Sequence, residues 1–166
     1  MGMAGMDEVV KVILVGVGAT AVMDVWSMIQ KGLGMPTLNY ALVGRWAGHL
    51  PRGRFTHASI GRAEPITGEA PLGWAIHYAV GIAFAALLVG IFGVQWLAVP
   101  TVLPALLVGI VTVAVPLFVM QPALGAGFAS SRTPTPLKNC LRSVATHAVF
   151  GLGMYWAALL LNRVWA

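Results

Sequence analysis

Four stretches of this chain, about residues 9–31, 72–98, 101–121 and 140–162, run apolar almost without interruption. Each meets or exceeds the roughly 20 residues a helix needs to cross a hydrocarbon core of about 30 Å. Continuous apolarity, rather than short alternating segments, argues for helices and against the strands of a membrane barrel. The rest of the chain does not offset it: charged residues are 9% of the total, against about 25% in a soluble domain. The expected fold is therefore all-α, an integral membrane four-helix bundle forming a single domain over residues 1–166.

The amino-terminal stretch MGMAGMDEVVK lacks a basic region and carries Asp7 and Glu8. With the long apolar run behind it, it reads as a first span rather than a cleaved signal peptide. The loop joining spans one and two, with its helix ends, holds Lys31, Arg45, Arg52, Arg54 and Arg62, and the connection of spans three and four holds Arg132, Lys138 and Arg142. Only Lys11 and Arg163 fall on the opposite face. The positive-inside rule then expects a bacterial inner membrane protein with long loops in the cytoplasm and both termini outside. Topology and anionic head groups account for the formal net charge of +5, so the expected partner is the bilayer, with no nucleic acid.

Span one carries Thr20, Asp24, Ser27 and Lys31 on one helical face, a stripe that cannot face lipid. Gly32, Gly34 and Pro36 end it. Residues 38–50, LNYALVGRWAGHL, then predict a short interfacial amphipathic helix, with Leu42, Val43, Trp46 and Leu50 on one side and Arg45, His49 and Arg52 on the wet side. Residues 51–71 are the most polar stretch, with too much Pro and Gly for a continuous helix. Val99 and Pro100 alone would join spans two and three, Pro104 and Pro116 would bend span three, and Thr135-Pro136 would start span four. Trp26, Trp74, Trp96, Tyr155, Trp156 and Trp165 fall mostly near span ends and predict interface belts.

Spans two and four share the pattern small-x-x-x-His-x-x-x-Gly: Gly73, His77, Gly81 and Ser143, His147, Gly151. Small residues at that spacing let helices approach closely. The segments GVGATAVMDVWS (16–27), LNYALVGRWAGHLPRG (38–53) and GEAPLGWAIHYAVG (68–81) carry a resemblance as well. They are similar to a family of small bacterial inner-membrane proteins catalogued as a domain of unknown function. The resemblance implies a four-span bacterial membrane protein and supplies no activity, cofactor or catalytic residue.

Asp24, His77 and His147 all fall at a similar depth in the cytoplasmic half of their spans, so three helices can aim them at one point. An ionised group at the bilayer centre costs at least about 2.5 kcal/mol, which makes an intramembrane acid a functional-site candidate. Glu69 or His57 could reach in from the polar loop, with residues 54–71 as a lid. Two imidazoles and a carboxylate are the ligand set of an open site for Fe, Zn or Mn. The first expectation is thus a metal-binding membrane protein, with Asp24, His77, His147 and Glu69 as catalytic candidates if it is an enzyme on an amphipathic or lipid-soluble substrate. There is no HExxH or histidine-box pattern.

Three alternatives stay open. Asp24 is the proton- or cation-binding carboxylate of a small transporter that moves an amphipathic molecule or cation and works as a homodimer. His77 and His147 are axial ligands of haem b. Or the polar groups are hydrogen-bonding glue in a structural bundle.

Overall fold

The computed structural model describes residues 3–164, with side chains from Asp7 onward; Trp165 lies outside the described residues. In chain order the α-helices are α1 (Met3–Gly32), α2 (Tyr40–His49), α3 (Glu69–Phe92), α4 (Gln95–Ala98), α5 (Val102–Val111), α6 (Gln121–Leu124) and α7 (Pro136–Val164). No strand occurs among the described residues. Asp7–Gly32, Glu69–Phe92, Val102–Leu124 and Pro136–Val164 are each long and apolar enough to cross a membrane. Leu87, Ile91, Leu103, Leu107, Val111 and Leu160 point outward from these helices. An apolar exterior of that extent suits hydrocarbon, not water. The chain is an all-helical protein with four membrane-spanning helices.

Backbone chemistry sets the breaks. Span two ends at Phe92, earlier than expected, because Gly93 turns left-handed (φ 85°) and Gln95 Nε2 caps the Phe92 carbonyl at 3.1 Å. The connection to span three is therefore longer than a two-residue hairpin and contains α4. Pro104 lies in the first turn of α5, where its missing N–H has no partner to lose, so it bends nothing. Pro116 does interrupt span three. It cannot donate to the carbonyl of residue 112, and the helix breaks at residues 112–113, resumes at 114 and passes into a π-helical turn, Pro116–Met120.

The chain forms two compact units. The first takes the residues up to Met35, Tyr78–Thr112, and the chain from Thr146. Its core is Val15, Ala19, Ala85, Leu88, Trp96, Leu97, Ala105, Val108, Phe150, Met154 and Ala158. Backbones touch here because glycines sit at the crossings. A Cβ on Gly16 would come 2.5 Å from Ile82 Cα, and one on Gly109 would come 2.7 Å from Gly151 Cα. Gly81 and Gly151, each four residues past a histidine, thus serve the close approach that their spacing suggested. Asn162 Nδ2 closes the end of α4 by donating to the carbonyls of Leu97 at 2.8 Å and Ala98 at 3.0 Å.

The second unit is Pro36–His77 with Val113–Ala145. Asn39 caps α2 by accepting from the Ala41 N–H at 3.0 Å. Gly44 of α2 faces Gly73 of α3 so closely that a Cβ on the first would overlap the Glu69 carbonyl and one on the second the Tyr40 carbonyl. The polar loop after α2 carries two short 3-10 turns, Leu50–Arg52 and Ile60–Arg62, and no continuous helix. Its middle is tied down where the His57 N–H donates to Ala123 O at 2.9 Å.

Candidate functional site

Asp24 sits on the polar face of α1 with Thr20 and Ser27, and the structure turns that face inward. Thr20 is fully buried and donates to Gly16 O at 2.8 Å, while Asp24 and Ser27 are half-buried. The absent side chain of Gly81 leaves the space that Thr20 Oγ1 fills. One turn further along, the Tyr78 hydroxyl donates to Asp24 Oδ2 at 2.9 Å. A carboxylate within a span thus has a phenol aimed at it from another span.

His147, buried on α7, meets the break in span three. Its Nδ1 lies 3.3 Å from both Gly109 O and Thr112 Oγ1, and Thr112 Oγ1 itself donates to Gly109 O at 2.8 Å. A carbonyl only accepts, so this network assigns a hydrogen to Nδ1. Phe84 flanks the imidazole at 6.4 Å between ring centroids.

In the second unit, His77 belongs to an aromatic cluster. Its ring stacks on Tyr40 at 4.0 Å and 23°, with the Trp74 ring 5.8 Å away and edge-on. Stacking shields the imidazole's face and leaves its nitrogens at the edge.

Arg45 organises the polar loop. Its Nε and Nη2 donate to the two Glu69 oxygens, each at 2.8 Å, and Nη1 reaches the carbonyls of Ile60, Gly61 and Ala63 at 3.3, 3.4 and 3.0 Å. The Glu69 hydrogen bond holds the guanidinium above its ordinary pKa, more than burial lowers it. Glu69 also accepts from the Ile66 N–H at 3.2 Å. Beside this pair, His49 Nδ1 faces His57 Nε2 at 2.9 Å.

These contacts correct the expected orientation of α2. Arg45 is only 11% exposed along its side chain and His49 is fully buried. Neither lies on a wet side. The polar loop folds back over that face and supplies the acceptors that solvent or phosphates would otherwise supply. Arg52, at 59%, does face outward, but it lies beyond the helix.

Glu69 and His57, expected to reach toward the intramembrane trio, thus have partners of their own in Arg45 and His49. Among the described residues, no group of three or more His, Cys, Asp or Glu side chains is placed to hold a metal ion. Tyr78, Thr112 and Tyr40 enter these contacts without belonging to any sequence motif. Tyr78 carried a signal: a hydroxyl next in sequence to His77, inside a span, must also find a partner. Nothing in the local pattern foretold the Arg45–Glu69 and His49–His57 pairs, which loop closure creates.

No curated protein and no solved structure matches the chain. One family does, over residues 13–161, and its description is "Protein of unknown function (DUF2938)". The match spans nearly all of the described helices, from within α1 to near the end of α7. The chain belongs to the DUF2938 family.

Proposed function

We propose that the protein is a small proton-coupled transporter of the bacterial inner membrane, working as a homodimer on amphipathic cations, with Asp24 as the carboxylate that exchanges a proton for the cation. The observation that carries this reading is the hydrogen bond from Tyr78 to Asp24 between two spanning helices. A charge at mid-membrane costs about 2.5–3.5 kcal/mol by insertion scales. A hydrogen bond to a charged group returns about 1.5–3 kcal/mol. The Tyr78 hydroxyl thus offsets much of the cost of placing a carboxylate within a span, where an exchangeable proton or cation would serve as its counter-charge. Four spans are few for alternating access, which is the reason to invoke a dimer.

His147, buried with a hydrogen on Nδ1, supplies a second protonatable group in the same unit as Asp24. The proposed orientation has long loops in the cytoplasm and both termini outside, following the eight Lys and Arg on one face. A resident metal is the weaker reading, because it needs a third ligand that the described residues do not bring together.

The test is proton release on binding. Purified protein in weakly buffered detergent should release close to one proton per bound tetraphenylphosphonium, and Asp24→Asn should release none. Binding without proton release in the wild type would end the proposal.

A further inference from the structure

The half-buried histidine pair in the second unit has no role in the chemistry described so far. His49 is the last residue of α2 and is fully buried. His57 lies in the folded-back loop, fixed through its backbone bond to Ala123 O. The rings are 5.0 Å apart between centroids and tilted by 33°, with His49 Nδ1 and His57 Nε2 joined at 2.9 Å. The outer nitrogens, His49 Nε2 and His57 Nδ1, are also buried and have no hydrogen-bond partner among the described residues.

Tautomer counting makes this informative. A neutral imidazole has one donor nitrogen and one acceptor. If His49 Nδ1 carries the bridging hydrogen, His49 Nε2 is a bare lone pair and His57 Nδ1 is an N–H with nothing to receive it. If His57 Nε2 carries it, the ends exchange roles. Either way the neutral pair leaves one unanswered donor at one end and one unanswered acceptor at the other. An unsatisfied buried donor costs about 1–3 kcal/mol, so polar partners belong at both ends, and ordered water is the smallest that fits. A metal ion between the facing nitrogens fits worse, since it would leave both outer nitrogens as N–H donors without the acceptors that such ligands need.

We propose that His49 and His57 form a reversible one-proton shuttle whose outer nitrogens are each hydrogen-bonded to an internal water. A proton arriving at His49 Nε2 makes that ring an imidazolium. The bridging proton then crosses to His57 Nε2, and His57 Nδ1 releases its own. One proton enters, one leaves, and the pair stands in its other tautomer; passage in the opposite sense restores the first. Arg45 and Glu69, the charged groups beside the pair, neutralise each other at 2.8 Å. Glu69 remains within electrostatic reach of His49, so the transient imidazolium has a carboxylate nearby. That this shuttle loads or drains protons for transport rests on the proton-coupled reading above.

Two measurements on the full chain separate the claims. In the 15N spectrum of the detergent-solubilised protein, assigned through His49→Gln and His57→Gln, both rings should show two exchanging neutral tautomers. A single fixed tautomer on each ring overturns the shuttle. In vesicles, His57→Gln keeps a side chain that can donate and accept but cannot pass a proton. It should slow pH-driven tetraphenylphosphonium flux tenfold or more with affinity unchanged; wild-type flux in this variant also overturns the shuttle. If wild-type protein shows no flux at all, the transport reading fails, and the 15N tautomers alone decide the shuttle.

Discussion

Tyr78 donates to Asp24 Oδ2 at 2.9 Å, tying the second spanning helix to the first at a carboxylate deep within α1. Removing the donor should therefore reveal what the pair does. Tyr78→Phe keeps the ring and deletes one hydroxyl, with an expected loss of about 1.5–3 kcal/mol at Asp24. The variant should remain helical by circular dichroism, while its affinity for tetraphenylphosphonium changes at least tenfold. An unchanged affinity would make the contact mere packing.

The glycine crossing of α2 and α3 gives a contrast within one protein. Gly44→Ala forces a methyl group into the Glu69 carbonyl, and overpacking of this kind costs about 1–3 kcal/mol or more. Gly32→Ala, near the end of α1, meets nothing within 4 Å and should be neutral or stabilising by up to about 1 kcal/mol. Thermal unfolding in detergent should separate the two in that order.

Arg45 holds the polar loop through five donor contacts to Glu69, Ile60, Gly61 and Ala63. Arg45→Lys keeps the charge but not the planar fork that makes these contacts together. The loop should then open, and trypsin should cut sooner at the exposed Arg52, Arg54 and Arg62. Cleavage at the wild-type rate would show that the loop is held by other means.

Orientation follows from charge, and labelling checks it. In a Cys140→Ser background, Val99→Cys should react with a membrane-impermeant maleimide added to intact cells. Thr56→Cys should react only after lysis. Both positions are exposed, so reversed labelling would reverse the topology.

The spans were legible because twenty apolar residues in a row leave a chain few options, and the inward turn of Thr20 and Asp24 followed from their spacing on one face. Pro116 was legible as a break, since a missing donor acts wherever the helix runs. Pro104 was not, because the same residue is harmless in a first turn, and only the true start of α5 distinguishes the two cases. The end of span two was not legible, since Gly93 looks like any small residue in an apolar run and only its left-handed φ marks the stop. Periodicity placed Arg45 and His49 together on the polar side of α2. It could not show that a loop beginning two residues later folds back to cover that side. The pairs Arg45–Glu69 and His49–His57 are tertiary, and a helical wheel shows only what faces away from the apolar stripe, not whether that face meets water.

The central claim is that Asp24 exchanges a proton for a cation, and the direct measurement is flux. Protein reconstituted in vesicles with an imposed pH gradient should drive tetraphenylphosphonium across the membrane, and dissipating the gradient should stop it. Asp24→Asn, nearly the same shape without the charge, should fold, insert and lose that flux by at least a hundredfold. Gradient-driven flux that persists in Asp24→Asn, or wild-type flux indifferent to the gradient, would contradict the account.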